Sequence, residues 1–146
     1  MSHLLHHVNE LISVVKECYR TLRSGGIILN RYGAIEHICD DPEHRFFPEA
    51  VECDEARTPT REQVEKWFRA VGSKEISSET IIQQSYRSTE ERLKKAKLQS
   101  TSVLTLISQP AFRQGLEALQ AYSSRYPNDL WLLIDKVTLT TGTKGA

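Results

Sequence analysis

The 146-residue sequence has no net charge, no long apolar run and only three cysteines, and each shortage removes a class of protein. Lys plus Arg and Asp plus Glu both number 19, so no global field draws the chain to nucleic acid or to an anionic membrane. Any charged partner must be met locally. No stretch approaches the ~20 apolar residues of a membrane span, and the opening Met-Ser-His-Leu-Leu-His-His has neither a basic segment nor an apolar one. A soluble protein with no membrane partner is expected. Cys18, Cys39 and Cys53 form no paired metal-ligand spacing and no even disulfide framework, which predicts a reducing, cytoplasmic setting. His37 and His44 beside Cys39 and Cys53 show no CxxC or HxxxH pattern, so no metal site is predicted. Glycine is also sparse: the only close pair is Gly25-Gly26, and no Gly-rich loop follows a strand.

What is present reads as one α/β domain over residues 1–146, a length that can bury a real core. Val8, Leu11, Ile12, Val15, Cys18 and Leu22 recur at the spacing of one helix stripe, and Ser24-Gly25-Gly26 stops that helix. Ile27, Ile28 and Leu29 follow without polar alternation. Such a run predicts a strand covered on both faces, after which Asn30-Arg31-Tyr32-Gly33 leaves the sheet. Only Met1 to Leu5 precede the His6-His7 loop, so the strand that should partner this unit is almost entirely missing and the chain is expected to begin in the middle of a fold.

Residues 34 to 57 lack a long period and predict an irregular segment with one or two short helices. Thr60 and Gln63 then match a capping box before Val64, Trp67, Phe68 and Val71, with Gly72 closing the helix. Glu75 to Gln84 predicts a polar strand near a sheet edge, and Ser88-Thr89-Glu90-Glu91 opens another helix running to Leu98. Ser100 to Ser108 predicts a short helical continuation, and Pro110 begins a long helix ended by Pro127-Asn128. Leu130 to Ile134, with Val137 and Leu139, predicts a central last strand, and Thr140 to Ala146 is expected to fray.

This order of elements resembles the C-terminal half of a class I S-adenosylmethionine-dependent methyltransferase. His6-His7-Val8 and then Glu17-Cys18-Tyr19-Arg20-Thr21-Leu22-Arg23-Ser24-Gly25-Gly26 are similar to the family's His-His-Val loop and its Glu-x-x-Arg-Val-Leu-Lys-Pro-Gly-Gly turn, with Thr21, Arg23 and Ser24 replacing Val, Lys and Pro. Phe46-Phe47-Pro48-Glu49-Ala50, Thr58-Pro59-Thr60 and Ser102-Val103-Leu104 before Phe112-Arg113-Gln114-Gly115-Leu116 add to the likeness. The resemblance implies a truncated Rossmann-like sheet with the last strand antiparallel between the two before it and helices on both faces. It implies S-adenosylmethionine as cofactor and a small-molecule nucleophile as substrate. The half that grips the cofactor would lie outside this sequence, so the chain alone is not expected to bind it well.

In open α/β sheets ligands sit beyond the carboxyl ends of the strands, which would bring His6, His7, Arg31 and Tyr32 to one crevice. An imidazole of His6 or His7 there would accept a proton from the nucleophile, and Arg31 with Tyr32 would hold substrate. The alternative is structural: the histidines cap a helix start and Arg31 pairs with an acid. Phe46 and Phe47 would wall an apolar substrate pocket or else fill a core. Arg87, Arg92, Lys94, Lys95 and Lys97, preceded by Glu90 and Glu91, favour a solvated helix face over RNA contact. Two functions follow. Either the chain is the substrate side of a methyltransferase, or it is a non-catalytic methyltransferase-like module whose open sheet edge associates with a partner chain or with a second copy.

Overall fold

Strands and helices follow one another nearly as the sequence patterns predict, and the computed structural model describes the whole chain from Met1 to Ala146. The elements are α1 (Leu11–Thr21), β1 (Ile27–Tyr32), α2 (Pro42–Phe46), α3 (Glu49–Glu55), α4 (Arg61–Ala70), β2 (Ser73–Gln84), α5 (Thr89–Lys97), α6 (Gln109–Arg125) and β3 (Ile134–Lys144). Two compact units make up the chain. Unit one comprises Met1–Glu36, Arg57–Ile81 and Val137–Ala146; unit two comprises His37–Ala56 and Ile82–Lys136. No helix is long and apolar enough to cross a membrane.

The sheet orders its strands β1-β3-β2, so the last strand lies in the middle and runs antiparallel to β1, with Ile28 opposite Gly142 and Asn30 opposite Thr140. That is the reversed closing strand the resemblance implies. β2 takes an edge, as its polar sequence predicts, and its Ser78 and Ser77 hydroxyls meet Thr140 and Thr141 at 2.8 and 3.0 Å. Period-two alternation along β1 buries Ile28, Asn30 and Tyr32 and leaves Ile27 62 % and Leu29 42 % exposed. This corrects the expectation of cover on both faces. It also corrects the strand's end: Arg31 and Tyr32 stay in the ladder opposite Leu139 and Thr138.

Ile28 and Tyr32 join Leu5, Val15, Val64 and Phe68 in the core of unit one, beneath α1 and α4. The predicted capping box starts α4: the Thr60 hydroxyl accepts from Gln63 N–H at 3.0 Å and Gln63 Oε1 accepts from Thr60 N–H at 2.9 Å. Gly72, at φ +92°, ends the turn that follows in a conformation L side chains rarely adopt.

Two predictions about the C-terminal stretch are overturned together. Leu130–Leu133 forms a 3-10 turn rather than a strand, and Leu132 enters the core of unit two. The strand begins at Ile134, keeps Val137 and Leu139 as expected, and runs on through Thr140 to Lys144, the segment expected to fray. Its threonines are β-branched and Thr138 and Thr140 are buried, which suits a central strand better than a free tail.

Unit two is helical around Phe47, Ala50, Val103, Leu104, Leu119 and Leu132. Ser88 and Ser108 cap α5 and α6 by accepting from Glu91 and Ala111 N–H. Gly115 lets α6 lie against α2, since a Cβ there would stand 2.6 Å from the Phe46 carbonyl oxygen.

Candidate functional site

The outer edge of β1 already carries the beginning of a parallel neighbour. Arg31 N–H donates to Met1 O at 2.9 Å and His3 N–H donates to Arg31 O at 2.8 Å, and these two bonds make Ser2 and Arg31 a parallel bridge. The terminal amino group adds a 2.6 Å bond to Leu29 O. Because the pairing is parallel, the chain beyond His3 emerges at the same end of the sheet as Gly33, the end where ligands of open α/β sheets sit.

The Leu5–His7 turn lies there, anchored by Leu5, which is buried in the core of unit one. His7 is exposed and His6 half-exposed, with their rings 4.0 Å apart between centroids and tilted by 46°. Neither begins a helix: α1 starts only at Leu11, with Glu10 at its cap. Arg31 Nη1 donates to Ser2 Oγ at 3.4 Å and meets His3 Nε2 in a very short contact. His3 is a residue that sequence reasoning missed. Its backbone sits at φ +46°, left-handed and uncommon outside glycine, and both its N–H and its ring engage Arg31. Only the parallel bridge reveals it, since a histidine three residues from the terminus has no periodic neighbour.

Tyr32 behaves differently. Its side chain points into unit one, 2 % exposed, and its hydroxyl lies 3.2 Å from Thr140 Oγ1. Burial raises the phenol's pKa, so the group stays neutral and inward. The expected pairing of Tyr32 with Arg31 at a crevice is therefore replaced by alternation along one strand, Arg31 one way and Tyr32 the other.

Phe46 and Phe47 belong to unit two. Phe47 is fully buried and stacked on Phe112 at 5.9 Å, a core residue. Phe46 is half-buried, edge-on to Tyr122 at 5.3 Å and tilted to Trp131 at 6.0 Å. In the basic stretch, Arg92 does not join the solvated face. It is 4 % exposed, because Thr89, Arg92 and Ala96 share the buried side of α5. Their three-and-four spacing was the available signal, hidden by the run of charges around it.

The residues present do not fit a cradle for S-adenosylmethionine. Gly25-Gly26 sits between α1 and β1, at the opposite end of the strand from Arg31, and a Cβ on Gly26 would stand 2.8 Å from Arg23 O, so that turn is filled by its own backbone. Gly33, at the ligand end, faces open space.

The sequence matches no protein-family model and no curated protein. Solved structures do match. A protein described as a methyltransferase from an antibiotic biosynthesis pathway of Anabaena variabilis aligns with 96 % of this chain at 19 % identity and TM-score 0.72. A phosphoethanolamine N-methyltransferase of Haemonchus contortus, in complex with phosphomonomethylethanolamine and S-adenosylhomocysteine, aligns with 99 % at 18 % identity and TM-score 0.50. A protein described as a methyltransferase from Bacillus halodurans aligns with 99 % at 13 % identity and TM-score 0.51. This chain spans 64, 32 and 62 % of their respective lengths. The fold is that of class I S-adenosylmethionine-dependent methyltransferases, represented here by part of its sheet.

Proposed function

We propose that this chain forms the acceptor side of an S-adenosylmethionine-dependent methyltransferase working in a reducing cytoplasm, and that it presents a small-molecule nucleophile at the Arg31 end of β1. The observation that supports this most is the parallel Ser2–Arg31 bridge, which gives the guanidinium and the His6-His7 turn the same end of a methyltransferase-type sheet. A guanidinium suits a carboxylate or phosphate on the substrate. A neutral imidazole of His6 or His7 suits removal of a proton from an attacking nitrogen or oxygen. The cofactor would be gripped by groups other than those described above, and no step is assigned to it.

Two measurements on the chain test the reading. Calorimetric titration with S-adenosylmethionine is expected to give affinity weaker than micromolar; micromolar affinity would place the cofactor site among these residues and overturn the assignment. NMR titration with small phosphorylated and carboxylated amines, starting with phosphomonomethylethanolamine, is expected to shift the Arg31, His6 and His7 signals. No shift with any of them, or shifts that survive Arg31→Met, would sink it.

The exposed Ile27 and Leu29 favour a second reading, a non-catalytic module that associates through β1 with a partner chain or another copy. Size-exclusion chromatography with light scattering tests the second-copy form: a monomer at high concentration rules it out.

A further inference from the structure

Unit two buries more charge than a helical core needs. Arg92 Nη1 donates to Leu132 O at 3.1 Å, and the guanidinium lies 3.5 Å from Asp41, 3.6 Å from Asp135 and 4.6 Å above the Tyr86 ring. His44 Nε2 is 2.8 Å from Asp54 Oδ2, and its Nδ1 is 3.7 Å from Asp41, an ion-pair distance beyond hydrogen-bond reach. Lys95, 5.0 Å from the centre of the Tyr86 ring, is taken by Glu91 at 3.3 Å. Thus Asp41, Asp54 and Asp135 already use both central cations. Glu43 is a fourth carboxyl in the same cluster, and its close partner is the Thr101 hydroxyl, which donates to Oε1. Ionised, Glu43 would set four acids against two cations in a half-buried cluster around the buried Arg92.

We propose that α2 is fastened within unit two by a proton-dependent latch: Glu43 stays a neutral carboxyl against Thr101 while Asp41, Asp54 and Asp135 share Arg92 and His44, and loss of that proton loosens α2 from α5 and from the Ser102–Thr105 turn. The groups facing Glu43 are Asp41 and His44 on α2's own stretch, Arg92 on α5 and Thr101 before the turn. Burial dominates and lifts its pKa to about 7; Thr101, Arg92 and His44 pull it down, and Asp41 pushes it up. The unfolded chain releases this proton near 4.5. The stabilisation is therefore complete below about pH 4.5 and is lost as pH rises to 7, where the folded group ionises too. α2 also carries Phe46, so the latch sets how firmly that ring is held whether or not the methyltransferase reading stands.

Amide hydrogen exchange between pH 4.5 and 6.5, below the range in which His44 loses its charge, reads the latch once corrected for intrinsic rates. Protection of the α2 and Ser102–Thr105 amides is expected to fall about thirtyfold across that range in the wild type and less than about threefold in E43Q, which is neutral throughout. An E43Q slope equal to the wild type's would overturn the proposal. Should E43Q fail to fold, the side-chain carbon of Glu43 in labelled wild-type protein still decides: a midpoint near 7 supports the latch, and one near the ordinary ~4.3 of glutamate abolishes it.

Discussion

Lys144 sets its ammonium 2.9 Å from the carbonyl oxygen of Leu22, and 3.0 and 3.1 Å from those of Tyr19 and Arg20. The last strand thereby caps the first long helix, whose terminal carbonyls have no intrahelical donor. Lys144 N–H also donates to Gly26 O at 2.8 Å, and Gly25 N–H donates to Lys144 O at 2.9 Å. Lys144→Met keeps the stem and removes only the charge and its donors. It should cost about 1–2 kcal/mol of unfolding free energy in urea titrations, with α1 amides losing protection first.

That contact explains which parts of the fold were legible in the sequence. α1, α4, α5 and α6 announce themselves by period and caps, such as Thr60 with Gln63 and Ser88 with Glu91. The C-terminal strand does not, because what orders Thr140 to Lys144 is pairing with β1 and a helix end more than a hundred residues earlier in the chain. Likewise Leu130–Leu133 looks like a strand because an apolar run carries no period to distinguish a sheet from a turn into a core. At the candidate site, the expected topology and the family resemblance together pointed to Arg31, His6 and His7 at one end of the sheet. His3 depends on a long-range contact that no spacing rule encodes, and for Arg92 the Thr89-Arg92-Ala96 spacing signals burial but not the partners Asp41 and Asp135.

Gly115→Ala should be among the most damaging single changes. The added methyl would collide with the Phe47 ring and stand 2.6 Å from Phe46 O, in a fully packed interior. A loss of about 2–4 kcal/mol is expected in denaturant unfolding, whereas Gly33→Ala, with nothing within 4 Å, should change stability by less than about 0.5 kcal/mol.

Arg92 and Lys94 look alike in the sequence and should behave oppositely. Arg92→Met strands Asp41 and Asp135 beside an apolar side chain, so a loss of about 2–4 kcal/mol is expected. Lys94→Met, on the exposed side of α5, should stay within about 0.5 kcal/mol. Equal effects of the two would return Arg92 to the solvated face.

His44 predicts a pH dependence on the alkaline side. Burial alone would depress its pKa, but Asp41 and Asp54 outweigh burial and raise it to about 9 from 6.5. The sign is that of a base charged in the folded state: the stabilisation is complete below pH 6.5 and disappears as pH climbs to 9. With allowance for partial solvent screening the loss is about 1–2 kcal/mol. Urea unfolding at pH 6.5 and 9 should show it in the wild type and not in His44→Gln.

Asn30 offers a sharper test of what unit one tolerates. It lies midway along β1, opposite Thr140 and fully buried, and neither its Nδ2 nor its Oδ1 has a hydrogen-bond partner. Its flanking inward residues are Ile28 and Tyr32, so the position belongs to an apolar stripe by alternation. An unpaired buried amide costs about 1–3 kcal/mol, and leucine has nearly the same shape without that cost. Asn30→Leu is therefore expected to raise unfolding free energy by about 1 kcal/mol, the remainder being lost to imperfect packing of the branched end. A destabilised variant would mean that the amide does find a partner inside unit one.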